Sequence, residues 1–223
     1  MSFNNPFKSG PEKKPAATVE VELEYSAFVP PVFQADPVGY FEREGQNIKT
    51  GKIKTDEAGR VREDTTAVKD LPIWRDDHGV ELQTVGRRVD ITKGAVGESG
   101  DPFYEYKILQ RLHGMGLPAA RPIAKAEQGG VHIIVMERIP GVRWSEKESL
   151  QLRERGYSNE DITELQTQAE QKMDQLRQQF GAAGVVRGWK LKDMVFQIDI
   201  ESKKVLAVVP TDWERTRIEE KAA

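Results

Sequence analysis

The sequence predicts an α+β fold: an extended N-terminal arm, an antiparallel-sheet lobe with one helix, and a small helical lobe with a β hairpin. Three observations predict it. Apolar residues alternate with polar ones in short runs as far as Ile91, then switch to helical spacing after Asp101-Pro102. Beyond a Pro140-Gly141 break comes a single helical stripe: Ile162, Leu165, Ala169, Met173, Leu176 and Phe180. Met194–Ile200 and Val205–Val209 then flank Glu201-Ser-Lys-Lys204, a hairpin link. The boundaries predicted are 1–40 for the arm, 41–140 for the sheet lobe and 141–223 for the helical lobe.

Within the arm, residues 1–18 are polar and rich in proline and glycine, which favours a flexible segment. Val19, Val21 and Leu23 alternate with Glu20, Glu22 and Glu24, the period of a strand. Pro30-Pro31 argues against a helix and for an extended path. Tyr25, Phe28, Val29, Val32 and Phe33 are therefore expected to lie extended across a hydrophobic groove, either on this chain or on a protein partner. In the sheet lobe, Leu71–Arg75, Val80–Val85 and Arg87–Ile91 are expected to form a three-stranded meander, punctuated by Asp76-Asp-His-Gly79 and Gly86. Asp101 reads as an N-cap with proline at the first helical position. Phe103, Ile108, Leu109 and Leu112 share one face of that helix, and Gly114, Gly116 and Pro118 end it. Strands are expected at Pro122–Ala126 and Val131–Met136.

Composition narrows the function classes. The 223 residues carry 33 Lys plus Arg against 36 Asp plus Glu, a net charge of −3, with 38% hydrophobic residues. That is a globular balance and not a basic nucleic-acid coat. Arg138, Arg143, Trp144 and Lys147 interleave with Glu137, Glu146 and Glu148, so they read as a solvated surface and no nucleic-acid partner is expected. With 0 cysteines, disulfides, thiolate metal sites and thiol nucleophiles are excluded. The histidines, His78, His113 and His132, lack zinc-ligand spacing. No apolar run is long enough to span a membrane and the N-terminus lacks a signal-peptide core, so a cytoplasmic protein with no membrane partner is expected.

The element order resembles the kinase-like fold, most closely its aminoglycoside-phosphotransferase and RIO-like branch. YEYKILQRLHGMGLPAARPIAKAEQGGVHIIVMERIPGVRW (104–144) is similar to that branch's glutamate-bearing helix, two strands and hinge. GVVRGWKLKDMVFQIDIESKKVLAVVPTDWER (184–215) is similar to its catalytic loop and metal-binding turn. The resemblance implies a reduced two-lobe kinase-like fold with ATP and magnesium as cofactors. It implies Lys93 as the strand lysine on the phosphates, Glu105 as the helix glutamate holding it, and Glu137 at the adenine hinge. Asp212 is implied as a magnesium ligand and nucleotide contact, and Asp193 as a second magnesium ligand.

The catalytic loop departs from the family. Val186-Arg-Gly-Trp-Lys-Leu-Lys-Asp-Met fits in two registers. One puts Gly188 in the catalytic aspartate slot and Asp193 in the metal-binding asparagine slot; the other puts Trp189 and Met194 there. Neither supplies a carboxylate to orient a hydroxyl, so no catalytic residue is assigned. The two carboxylates of Asp76-Asp-His-Gly79 would also repel phosphates. The sequence thus predicts a catalytically degenerate, pseudokinase-like binding or scaffold protein, engaging a protein partner or larger assembly through its N-terminal arm. Two alternatives stay open: an atypical ATP-dependent phosphotransferase acting through Lys93, Glu105, Asp193 and Asp212, and an unrelated α+β structural component.

Overall fold

The computed structural model describes residues 18–24, 26–49, 53–55, 61–63, 67–89, 100–143, 152–199, 201–213 and 215–219. Its largest unit is a six-stranded antiparallel sheet, built from β1 (Val19–Leu23), β2 (Gln46–Lys49), β5 (Ala67–Asp70), β8 (Thr84–Val89), β9 (Pro122–Gln128) and β10 (Val131–Glu137). The order across it is β1-β9-β10-β8-β5-β2. Two short hairpins lie outside this sheet: β3 (Ile53–Thr55) with β4 (Val61–Glu63), and β6 (Trp74–Arg75) with β7 (Glu81–Leu82). The expected meander is therefore corrected. Residues 74–82 pair among themselves, and β8 pairs with β10 and β5. Gly86 does not punctuate the strand; it lies inside β8, where a Cβ would meet Phe41 Cδ2 at 2.9 Å. A bare backbone there lets the Phe41 ring lie on the sheet.

The N-terminal segment is extended only in part. β1 pairs with β9 from Val19↔Gln128 to Leu23↔Ala124, as the Val/Glu alternation implies. The chain then turns into two helices, α1 (Pro31–Ala35) and α2 (Pro37–Glu44). The expectation of an extended path through 30–35 fails because Pro31 and Pro37 each occupy a first helical turn. The missing N–H is an orphan there anyway, and the fixed φ suits a helix. Asp36 caps α2, its carboxylate accepting the Gly39 N–H at 3.0 Å. Phe33 and Phe41 are fully buried on the chain's own core, with Val29, Trp74 and Ile133. The Trp74 indole N–H donates to Tyr40 Oη at 3.0 Å. Glu42 binds both Lys69 and Arg88 at 2.6 Å, which ties α2 to the sheet. Of the five expected anchors, Tyr25 lies outside the described residues and Val32 is exposed.

Two further cores complete the molecule. Helix α3 (Tyr104–Gly114) begins later than the sequence suggests: the Asp101 carboxylate takes the Phe103 N–H at 2.8 Å, making a turn ahead of the helix and leaving no side-chain cap. Helix α4 (Asn159–Ala182) starts with a capping box between Ser158 and Asp161. Its Leu165 and Ala169 pack on a three-stranded sheet of β11 (Val142–Arg143), β13 (Met194–Asp199) and β14 (Lys204–Pro210). The last core joins α3 to the far end of α4 through Leu109, Leu112, Phe180 and Trp213. Beside it runs the ladder of β12 (Val185–Val186) with β15 (Arg217–Ile218). At Gly184 φ is +77°, and a Cβ would meet the Glu219 carbonyl oxygen at 2.8 Å, so only glycine lets α4 turn into this ladder. The architecture is α+β, antiparallel sheets with few helices, consistent with a two-lobe kinase-like fold.

Because Phe33 is buried between Tyr40 and Trp74, at 5.7 and 5.3 Å between ring centroids, Phe33→Ala should lower the unfolding free energy of the isolated chain by about 3–5 kcal/mol. Urea unfolding checks this; an unchanged midpoint would mean that α1 contributes nothing to the core.

Candidate functional site

The site is built where α3, β8 and the segment after β14 meet. Arg87 lies in mid-sheet, opposite Ile134 on β10 and Val68 on β5. Strand alternation turns it toward α3. Its guanidinium donates to Glu105 Oε2 at 2.5 Å, with the side chains only 17% and 8% exposed. Glu105 stands in the first turn of α3, and it also accepts the Trp213 backbone N–H. Burial pushes its carboxyl above the ordinary 4.5; Arg87 pulls it down, Asp212 pushes it up, and the Trp213 N–H pulls it down. The same helix also holds Thr216 and Trp213. Tyr104 Oη donates to the Thr216 carbonyl at 2.6 Å, and Leu109 and Leu112 pack in the core that contains Trp213.

A second cluster lies beside it. Asp193 ends a 3₁₀ turn (Leu191–Asp193), and its carbonyl accepts the Thr211 N–H at 3.0 Å and Oγ1–H at 3.1 Å. Asp193 and Asp212 therefore share the open end of the β13–β14 hairpin. Met194 points the other way and is fully buried among Leu165, Phe196 and Val208. A side chain so buried is not placed to ligate a metal. Arg187 sits over the Trp213 ring with Cζ 4.4 Å from its centroid, and 5.2 Å from that of Trp189. Burial pushes the guanidinium down to about 10, against the pull of Asp212 and then Asp193, so it stays charged at neutral pH.

The structure thus brings Glu105, Asp193 and Asp212 into one region. Lys93 lies outside the described residues; among the described residues the cation paired with Glu105 is Arg87. Glu137 ends β10. Its N–H donates to the Arg121 carbonyl at 2.8 Å, and the Arg138 N–H donates to the Gln83 carbonyl at 2.8 Å. Sequence reasoning missed Arg87, Arg187 and Trp213. The alternation through Arg87-Arg88 was visible, but nothing local says which of the two faces α3.

Among the described residues no group of three or more His, Asp and Glu side chains is placed to hold a metal ion. Asp193 and Asp212 are the two carboxylates that the resemblance implies for magnesium, an ion commonly held through one or two carboxylates plus substrate phosphates, and both act electrostatically on Arg187. No helix among the described residues is long and apolar enough to cross a membrane.

No family model matches the chain, and no curated protein matches it. Among solved structures it is similar to WaaP in complex with acyl carrier protein, at 15% identity, covering 90% of this chain and 73% of that one, with a TM-score of 0.44.

Removing one member of a buried ion pair leaves the other uncompensated. Arg87→Ala should therefore cost about 3–5 kcal/mol in urea unfolding, while the Arg87→Met, Glu105→Leu double variant should lose less than either single change. The Glu105 shift also sets a pH signature. A carboxyl raised by folding adds stability as pH falls through its folded value toward 4.5 and loses it as pH rises again. The melting temperature of wild type minus that of Glu105→Gln should rise as pH falls from neutral to 4.5; a difference that falls would mean the carboxyl is not raised.

Proposed function

We propose that this chain is a catalytically degenerate kinase-like protein that acts by binding, as a scaffold component. One observation carries the reading: neither register of the 186–194 loop puts a carboxylate in the position that would orient a hydroxyl, which is Gly188 in one and Trp189 in the other. General-base help and positioning are worth about 10² to 10⁴ in rate, and phosphoryl transfer depends on such positioning. The arm's Val29 and Phe33 are used by the chain's own core, so a protein partner would engage another surface. ATP remains the nucleotide to test, on the family resemblance alone.

A second reading, an atypical ATP-dependent phosphotransferase, is favoured by one feature. Arg87 on a strand, Glu105 on the next helix and Asp212 after the hairpin are electrostatically linked, in the order that the family's strand cation, helix acid and metal-turn acid take.

Transfer of the terminal phosphoryl from labelled ATP separates the two. Transfer at background, unchanged in Asp212→Asn, is the expected result; robust transfer that Asp212→Asn abolishes would sink the scaffold reading. A Cβ at Gly188 meets nothing within 4 Å and its φ is not in the left-handed region. Gly188→Asp should therefore keep the wild-type melting temperature within about 0.5 kcal/mol of stability.

A further inference from the structure

Strand β1 closes one end of the six-stranded sheet, and among the described residues nothing pairs with its outer edge. Which backbone groups face outward follows from the register. The Glu24 N–H donates to the Ile123 carbonyl at 3.0 Å. By the alternation of an antiparallel ladder, Glu22 and Glu20 also turn their N–H and C=O toward β9, while Val19, Val21 and Leu23 turn theirs away. Those outward donors and acceptors are a template for an added strand.

The two faces of β1 decide which strand can be added. On one face Val21 and Leu23 lie on the core with Phe28 and Val131, and Val19 continues the row at 36% exposed. Side chains of an incoming strand that fall on this face have to be apolar. On the other face stand Glu20, Glu22 and Glu24, all exposed. Glu22 binds Lys125 at 2.8 Å, and Glu24 accepts the Gln110 side-chain N–H at 2.7 Å. Glu20 has no ion pair among the described residues, and its cross-strand neighbour is another carboxylate, Glu127. His132 Nε2 stands 3.3 Å from Glu127 on the inner side, so the outer side of this row is left acidic. Like charges directly opposite each other destabilise a sheet, and a cation beyond Glu20 would relieve that.

A second copy of the chain is a poor occupant. Two β1 strands paired antiparallel with their apolar faces together set glutamate against glutamate in every register, because the slip that avoids this turns the valines to the other face. A basic strand meets the same row with opposite charge.

We propose that the outer edge of β1 is a docking edge for an extended segment of a partner protein in which apolar residues alternate with lysine or arginine. The inference deepens the scaffold reading and rests on it for the existence of a partner. It puts the contact on β1 and leaves the Phe33 segment to the chain's own core.

Fluorescence anisotropy of a labelled peptide of about eight residues, alternating valine and lysine, tests this on the full-length chain. Wild type should bind it, and should bind a peptide alternating valine and glutamate about tenfold more weakly or worse. Glu20→Lys should weaken the valine–lysine peptide about tenfold, because an opposite-charge cross-strand pair becomes a like-charge one. The variant's own sheet is spared, since the new lysine faces Glu127. N-methylation of one alternate set of peptide amides should abolish binding and of the other set spare it, since only one edge of the peptide meets β1. Val21→Pro removes an outward N–H and no ladder bond to β9, so the folded variant should also lose binding; if it does not fold, the methylated peptides carry the same test. No binding by wild type would overturn the proposal. So would equal binding of a block peptide of the same composition, which is attraction by charge alone, or equal effects of the two methylations. A wild-type dimer in sedimentation that the peptide dissolves would put a second copy on this edge and overturn it likewise. Peptide binding by a chain that also transfers phosphoryl from ATP removes the scaffold reading and keeps this inference; a chain that does neither loses this inference alone.

Discussion

A carboxylate removed from water in the first turn of α3 sets the terms for the middle of this molecule. Glu105 is 7% exposed, and an ionised group so placed must be given charge and hydrogen bonds by its neighbours. Arg87 supplies the charge from mid-sheet and the Trp213 N–H supplies a hydrogen bond from the far side. Arg87 stands on the α3 side of the six-stranded sheet, and Trp213 belongs to the core between α3 and α4. A buried ion pair is weak as a source of stability but demanding about geometry. Here that demand couples the position of β8 to that of the segment after β14. The apolar contacts of α3 reinforce the same alignment, since Leu109, Leu112 and Trp213 share one core.

The second cluster depends on the first. Trp213 is fully buried, and its ring is where Arg187 rests. A tryptophan at this place joins three functions: its N–H serves Glu105, its ring stacks on Phe180, and its face receives a cation. Negative charge from Glu105, Asp193 and Asp212 is met in part by Arg87 on β8 and by Arg187 in the loop after β12.

Much of the architecture was legible in the residues. The Val/Glu alternation marked β1, and the 3–4 spacing of Ile162 through Phe180 marked α4. These signals act within one or two turns of chain, where side-chain period suffices. The N-terminal segment shows the limit of that range. Pro30-Pro31 states a local constraint on φ, which a first helical turn satisfies as well as an extended path does. Burial of Phe33 against Tyr40 and Trp74 selected the helix.

The sequence by itself determined the α+β class, the helix carrying Glu105 and the hairpin between Asp193 and Asp212. Each is a matter of residue type at short range. The tertiary structure alone decided that Arg87 meets Glu105, that Met194 is buried in the core, and that the Trp213 ring receives Arg187. Arg87 and Glu105 are 18 residues apart, and Tyr104 and Thr216 are 112 apart. Partners so distant are chosen by strand register and by which faces can be buried together, and a one-residue change of register would turn Arg87 away from the helix.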